Sequence, residues 1–256
     1  MKEEYRFFIH DFANLKLPTE VRSRMFQYST DIYMEESQKR VLNCRKLKIS
    51  HLGKVEGKHR FQIITLDIDI RNTEKRNIRL LKKLSYLFDD VLVEVDEILR
   101  ITKVINQPQL INRWKNLKLG LLSAYKGESV EHYFKTIDDV VENEKMLIEF
   151  LHEHKMFGLF FNGYVQNFPI DKKIYYEETG FFLWAGFKNK DKSYVQIQVH
   201  GFQGEKKITE EYYFEESNLL DATSTISEIG KLSKYKLTQL GLRKNLQETL
   251  KKHYNG

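Results

Sequence analysis

The sequence predicts an α+β fold in which antiparallel sheet segments at both ends of the chain flank a helical central region. Three observations support this prediction. Apolar and polar residues alternate before about residue 105 and again after residue 169, which is the period-two pattern of strands. Between Pro108 and about Phe161 the apolar residues recur at three- and four-residue steps, which is typical of helices. With 41% hydrophobic and 13% aromatic residues, the chain has the composition of a folded protein.

The N-terminal third contains the clearest strand pattern. Residues 25–34 have strand composition, and residues 41–52 and 59–71 flank Gly53 and Gly57, so we predict a long antiparallel hairpin. In its second strand the apolar residues of one face are Ile64, Leu66, Ile68 and Ile70. The other face carries acidic residues, which indicates that one side of this hairpin is exposed to solvent.

Residues 91–125 predict two strands followed directly by a helix. Residues 91–95 alternate between valines and other residues, and residues 98–105 repeat that alternation. Pro108 fits the first turn of a helix, where its missing N–H has no partner to lose, so Asn106 and Gln107 are the predicted cap. The helix then carries an apolar stripe through Trp114 and is predicted to end at Gly127.

The rest of the chain predicts further helices and then a meander of strands. Helical spacing continues over residues 130–141 and 143–154 and is followed by an apolar segment at 156–161. After Pro169 the predicted strands are residues 174–178, 181–188, 194–202 and 208–214. Thr225 and Glu228 fit the capping box of a short helix, and residues 246–253 predict a terminal helix. These patterns predict an N-terminal lobe over residues 1–168 and a C-terminal one over 169–256, or else one continuous domain.

The positive charge of the chain is concentrated near its C-terminus. The net charge is +6, and after Gly230 seven basic residues face one acidic residue, Glu248. Such a segment can bind an acidic protein surface or the phosphates of a nucleic acid. The predicted partner-binding residues are Lys231, Lys234, Lys236, Arg243, Lys244, Lys251 and Lys252.

Large aromatic residues offer a second candidate site. Trp114, Trp184, Phe160 and Phe161 could line a pocket for a small molecule or lipid between a sheet and a long helix. Aromatic residues at strand and helix spacing are also the ordinary content of a protein core. Both interpretations depend on whether Trp114 closes a core or borders a cavity.

The candidate metal-binding and catalytic residues do not form a convincing site in the sequence. Asp67 and Asp69 share one strand face, but no phosphate-binding turn precedes them. Glu149 and His152 have the spacing of half a di-iron site, but the second such pair, Glu56 and His59, spans Gly57 at a predicted turn and not a helix. Cys44 is the only cysteine and is predicted to be a buried apolar side chain. Because the known catalytic and nucleotide-binding motifs are also missing, we predict no catalytic residue, metal or cofactor.

These observations favour a non-catalytic protein that binds a protein partner within a larger complex. The alternatives are a pocket protein for a small molecule or lipid, and a nucleic-acid-binding protein that uses the basic C-terminal residues. The N-terminal residues lack the pattern of a secretory signal and no run is long enough to cross a membrane, so we expect a cytoplasmic protein. The four alanines and three prolines, beside many Lys, Ile and Asn residues, are typical of an AT-rich bacterial genome.

Overall fold

A computed structural model describes most of the chain. The described residues are 21–72, 78–97, 99–161, 172–176, 181–190, 194–215 and 218–241. Side chains are described for all of these except 72 and 172–195. The predicted terminal helix at 246–253 lies outside the described residues.

Within the described residues, eleven strands form one continuous antiparallel sheet. In chain order they are β1 (Arg22–Met34), β2 (Lys39–Val55), β3 (Lys58–Asn72), β4 (Asp90–Val95), β5 (Ile101–Val104), β6 (Lys172–Tyr176), β7 (Phe181–Lys190), β8 (Tyr194–Gln203), β9 (Lys206–Glu215), β10 (Asn218–Glu228) and β11 (Lys231–Gln239). In space the order is β5-β4-β3-β2-β1-β11-β10-β9-β8-β7-β6. The sheet is therefore a meander over β1 to β5 joined edge to edge to a second meander over β6 to β11.

The predicted fold class, with sheet segments at the two ends of the chain around a helical centre, is wrong. The first strand pairs with the last one along nine residues, from Phe26 opposite Gln239 to Met34 opposite Lys231. Strands do lie at both ends and helices in the middle of the chain, but the strands make a single sheet. Each meander would otherwise expose an unpaired edge, and joining the two edges satisfies their backbone hydrogen bonds.

Five helices lie between β3 and β6 in the described chain. They are α1 (Ile78–Ser85), α2 (Gln107–Leu122), α3 (Glu128–Glu142), α4 (Glu144–Glu153) and α5 (Lys155–Phe161). Helix α1 contacts β3, α4 contacts β5, and α5 contacts β10 and β11. Helix α3 packs on α2 and α4, so α2 and α3 form an outer layer above the helices that contact the sheet. None of the described helices is both long and apolar enough to cross a membrane.

The apolar interior divides into two clusters. The larger one lies between the sheet and helices α4 and α5, and it includes residues from both meanders, such as Phe61 and Tyr212. The smaller one lies among α1, α2 and α3 around Trp114, whose indole Nε1–H donates to Asp138 Oδ1 over 2.7 Å. Helix α5, which carries Phe160 and Phe161, thus joins the two halves of the sheet from one side.

Several local predictions are confirmed by the structure. The hairpin around Gly57 is β2 and β3, and the strand-strand-helix unit is β4, β5 and α2. The four predicted strands after Pro169 are β6 to β9, which pair in sequence. The boundary between residues 168 and 169 stays a prediction, because residues 162–171 lie outside the described chain.

Two predictions about helix ends are wrong, and a third, Asn106 at the N-cap of α2, is confirmed in position. Thr225 and Glu228 begin no helix, because both lie in β10. Asn106 is at the N-cap of α2, but its side chain accepts from Leu92 N and donates to Asp90 O, so it joins the helix to β4. Helix α2 ends at Leu122, and Gly127 instead precedes α3 with a φ of 120°.

Candidate functional site

The two faces of the sheet differ because alternate residues of a strand point to opposite sides. On one side Phe160 contacts Phe26 and Phe61 edge to face, with ring centroids 5.5 and 5.7 Å apart. On the same side the ring of His154 lies 6.3 Å from that of Tyr28. We call this side the covered face. The residues between these strand positions point to the opposite side, which we call the open face.

A groove of ≈ 1010 Å³ crosses the open face where β1 pairs with β11. Two rows of residues run along it at right angles to the strands, and each row has one residue from each of six neighbouring strands. The inner row, in spatial order from β3 to β9, is Asp69, Cys44, Ser29, Lys236, Thr223 and Glu211. The outer row, in the same order, is Arg71, Leu42, Asp31, Lys234, Thr225 and Thr209. Together with Gln27, Lys46 and Asp67 beside the inner row, these residues form what we call the polar groove.

Charges of both signs line the polar groove in equal number. Its carboxylates are Asp31, Asp67, Asp69 and Glu211, and its open-face cations are Lys46, Arg71, Lys234 and Lys236. Arg45 borders the groove through its position in β2, but its guanidinium donates to the carbonyl of Ser85 at the end of α1 over 3.4 Å. The polar groove therefore carries no net formal charge but has an uneven distribution of charge.

Some charged side chains of the polar groove already form ion pairs. Arg40 holds Asp31 with two hydrogen bonds of 2.8 and 2.6 Å, and the hydrogen bond to this guanidinium lowers the pKa of the Asp31 carboxyl. Arg71 and Asp69 form an exposed pair at 2.9 Å. Because exposed pairs contribute little free energy, the Asp69 carboxylate can still exchange its partner for a ligand.

Two of the predicted partner-binding lysines lie in the polar groove. Lys234 is exposed in its outer row, and Lys236 lies in its inner row with Nζ 3.6 Å from Asp221 Oδ2. Lys231 lies at the start of β11, outside the groove, and its Nζ is 3.6 Å from Glu228 Oε2. The other four predicted residues, Arg243, Lys244, Lys251 and Lys252, lie outside the described residues. Strand pairing thus brings part of the basic segment next to acidic residues of the N-terminal half.

The residues of the predicted aromatic pocket are largely core residues. Trp114 is 1% exposed and packs edge to face on Phe134, with ring centroids 5.4 Å apart, so it presents almost no surface to a ligand. The rings of Phe160 and Phe161 contact each other at 5.1 Å within the larger apolar cluster. The side chain of Trp184 lies outside the described residues.

The candidate metal ligands do not come together. Asp67 and Asp69 both lie in the polar groove, and Nε2 of His152 lies 3.2 Å from the carbonyl of Ile101. Glu149 is instead 3.9 Å from a lysine of its own helix. In the described ranges, no group of three or more His, Cys, Asp or Glu residues is placed to hold a metal ion.

Cys44 lies half-buried in the inner row, which differs from the predicted buried apolar position. Burial raises the pKa of its thiol, and the negative charges of Asp69 and Asp67 raise it further. The protonated thiol is the form that this environment stabilises, and it is a poor nucleophile. Cys44 is thus poorly suited to nucleophilic catalysis.

A buried polar network on the covered face was not predicted from the sequence. The side chain of Glu210 is 4% exposed, and Oε1 lies 2.5 Å from Nζ of Lys155 in α5. Its carboxylate also accepts hydrogen bonds from Tyr212 and Ser224 at 2.7 and 2.9 Å. Burial alone would raise the pKa of this carboxyl, but Lys155 and the three hydrogen bonds lower it. The sequence did contain a sign of this network. Glu210 lies on the same strand face as the apolar residues Ile208, Tyr212 and Phe214, because all four are alternate positions.

Two buried histidines form a second feature that sequence patterns did not indicate. Nε2 of His51 lies 3.0 Å from Nδ1 of His59, and the ring of His51 also contacts Phe61 at 4.9 Å. One ring must donate and the other accept, so the two rings cannot both be protonated on both nitrogens. Burial lowers the pKa of His59, and the nearby His51 and Lys54 lower it further. The pair packs at the edge of the larger apolar cluster and is remote from the polar groove.

Comparison with known proteins assigns no family to this chain. No protein-family model and no curated protein matches it. Among solved structures, it is similar to one titled "Lipid-protein interactions in lipovitellin", with a TM-score of 0.42 and 10% sequence identity. That similarity covers 89% of this chain and 26% of the other, so the present chain spans about a quarter of that protein's length. A likeness at this level decides neither the fold nor the ligand.

Proposed function

We propose that this protein is a non-catalytic binding component of a larger complex, and that it binds its protein partner in the polar groove of the open face. The observation that carries the proposal is the groove itself, a concavity of ≈ 1010 Å³ lined by residues of six strands. A sheet face whose only requirement is solubility can meet it with charged residues on a flat or convex surface. A concave surface with fixed charges instead offers complementarity to a partner.

The mixed charge of the groove favours a protein partner over nucleic acid. Binding to phosphates needs a surface of one sign, because its free energy comes from replacing cations around the backbone. In the polar groove Lys236 and Lys234 alternate along the rows with Asp31, Asp69 and Glu211. A nucleic acid would bring its phosphates next to these carboxylates, whereas a protein can present charges of both signs.

The groups with the most reactive chemistry also support a non-catalytic role. The thiol of Cys44 has its pKa raised by burial and by neighbouring carboxylates. The carboxylate of Glu210 accepts from Lys155 and two hydroxyls on the covered face, away from the groove. Neither group has the exposed, activated state that a nucleophile or general base needs.

The unique cysteine makes the proposal directly testable. A photoactivated crosslinker attached to Cys44 lies in the inner row and is expected to join the groove to its partner in extracts of the native host. Mass spectrometry then identifies the partner and the crosslinked peptide. Purified partner should bind the unlabelled protein, and replacing Lys234 and Lys236 with Glu should weaken that binding about tenfold or more, since like charges replace opposite ones.

A matched control moves the crosslinker to the helical layer. In the Cys44→Ser/Leu119→Cys variant the label sits on α2, at a position that is 71% exposed. We expect this variant to give little crosslinking to the same partner. Equal crosslinking from both positions, or a partner whose affinity is insensitive to the charge reversal, would contradict a binding site in the groove.

A cytoplasmic location in a bacterium is part of the same proposal. It is supported by the composition of the sequence and by the single cysteine, which leaves no possibility of a disulfide within the chain. Fractionation of native cells with an antibody to the protein tests it. Recovery in the cytoplasmic fraction is expected, and recovery with membranes or in the medium would contradict it.

A further inference from the structure

We infer that the polar groove binds an extended segment of its partner, which lies along the inner row and carries one acidic residue between two basic residues. This inference rests on the proposed function and specifies the chemistry of the partner. It follows from the direction of the groove, its width and the order of its charges.

The rows fix the direction of the bound segment. Asp69, Ser29 and Lys236 belong to three different strands. Cross-strand pairing places Asp69 opposite Cys44, Cys44 opposite Ser29, and Ser29 opposite Lys236. All six residues of the inner row line the groove, from β3 to β9. Neighbouring strands lie about 4.8 Å apart, so the row extends over about 24 Å at right angles to the strands. A segment that follows it crosses the strands and does not add to the sheet as another strand.

The width of the groove favours an extended segment over a helix. Three of the four central residues of the inner row, Cys44, Ser29 and Thr223, have small side chains, and the fourth is Lys236. Longer side chains, such as Arg71 and Lys46, lie in the adjacent rows. The two flanking rows are four residues apart along each strand, which is about 13 Å between backbones. Their side chains occupy part of that distance, and a helix with its side chains is about 10 to 12 Å across. An extended chain is narrower and fits between them.

The order of charges along the groove defines the order on the partner. The end at β3 carries Asp67, Asp69 and Arg71, with a net charge of −1, and the end at β9 carries Glu211. The middle carries Lys46, Lys236 and Lys234. Asp31 also lies in the middle, where its two hydrogen bonds to Arg40 offset its charge. Lys236 is 3.6 Å from Asp221, and Lys46 and Lys234 keep the net charge of the middle positive. The groove is therefore acidic, basic and acidic in sequence, and a complementary segment is basic, acidic and basic.

Strand spacing also sets the separation of the partner's charges. Three strand steps separate Asp69 from Lys236, and two separate Lys236 from Glu211. At about 4.8 Å a step these are about 14 and 10 Å, and an extended chain advances about 3.4 Å per residue. The expected pattern is a basic residue, an acidic residue four positions later and a second basic residue three positions after that.

Synthetic peptides test this pattern on the full-length protein. The probe is a fluorescent eight-residue peptide with Lys at its first and last positions, a single Glu at its fifth position and Ser or Thr elsewhere. A second peptide has the same composition with its three charges adjacent. Fluorescence anisotropy should give about tenfold tighter binding of the spaced peptide. Equal affinities for the two peptides would overturn the inferred order of charges.

A charge exchange shows whether Lys236 faces the acidic position. The Lys236→Glu variant should lose about tenfold in affinity for the probe and regain it for a peptide whose single glutamate is replaced by lysine. The Lys115→Glu variant, which makes the same change on the exposed side of α2, should bind like the parent protein. If the peptide with lysine at all three charged positions does not restore binding to the Lys236→Glu variant, the inference is contradicted.

The outcomes separate this inference from the proposed function. If charge order has no effect while Cys44 still crosslinks to the partner, the groove is a binding site for a segment of other chemistry. If neither peptides nor crosslinking involve the groove, both proposals fall. Tighter binding of a single-stranded DNA oligomer than of the spaced peptide, with loss of binding in Lys236→Glu, would overturn the choice of a protein segment.

Discussion

The covered and open faces of the sheet are built from the same strands but hold very different side chains. In β9, Tyr212 and Phe214 are buried on the covered face, while Thr209 and Glu211 line the groove on the open face. Because successive residues alternate, one strand can contribute to a core and to a polar surface independently. Folding therefore depends mainly on one set of alternate residues, which leaves the other set free for binding.

Truncating Trp114 should destabilise the protein more than any change in the buried ion pair or on the open face. Its side chain is 1% exposed and contacts Phe134, so Trp114→Ala removes a large buried ring and leaves a cavity. We expect the free energy of unfolding to fall by about 3 to 5 kcal/mol in urea denaturation. Leu119→Ala on the same helix, at a position 71% exposed, should change it by less than about 0.5 kcal/mol. Similar losses for both variants would show that the interior of the helical layer is not closed.

Removing one partner of the buried ion pair should be the next most damaging change. In Glu210→Gln, Lys155 remains near the sheet without its carboxylate, and the expected loss is about 3 kcal/mol. The Lys155→Met/Glu210→Gln double variant should be less destabilised than the sum of the single variants. A double-mutant cycle from urea denaturation measures the difference, and additive effects would show that the two side chains do not depend on each other.

Acid should weaken the covered face through His154. Burial, together with the positive charge of Arg45, lowers the pKa of this imidazole to about 4. The unfolded chain binds a proton below about pH 6.5 while the folded protein does not, so stability falls as the pH drops from about 6.5 to about 4. We expect a loss on the order of 3 kcal/mol over that window. His154→Gln should flatten the dependence of the urea midpoint on pH, and an unchanged slope would remove His154 as its cause.

Changes on the open face should have the smallest effect on stability. Lys234 is exposed in β11, so Lys234→Gln should change the free energy of unfolding by less than about 0.5 kcal/mol. The same substitution should reduce partner binding. A variant that loses stability and binding together would show that the two faces are not independent.

Local patterns were sufficient to predict most individual elements but not their assembly. The alternation in residues 59–71 predicted β3, and Pro108 marked the start of α2. The pairing of β1 with β11 could not be predicted, because it joins residues some 200 positions apart and no local period encodes a strand's distant partner. Asn106 shows the same limit on a smaller scale, since its hydrogen bonds to β4 depend on tertiary packing.

The candidate site was predictable only in fragments. The solvated face of Asp67 and Asp69 and the basic residues Lys234 and Lys236 were both visible in the sequence. Their common location was not, because it depends on the register of five strand pairs between β3 and β9. Sites made from rows that cross a sheet are therefore hidden until strand order is known.

The most direct test of a binding site in the polar groove is the reactivity of Cys44 in the presence of the purified partner. The thiol lies in the inner row, and the rate of its alkylation reports whether the open face is covered. Saturating partner should slow the reaction of Cys44 about tenfold or more and leave the Leu119→Cys position of the Cys44→Ser background unaffected. Undiminished alkylation of Cys44, with protection of the position on α2, would place the partner on the helical layer and contradict a binding site on the open face.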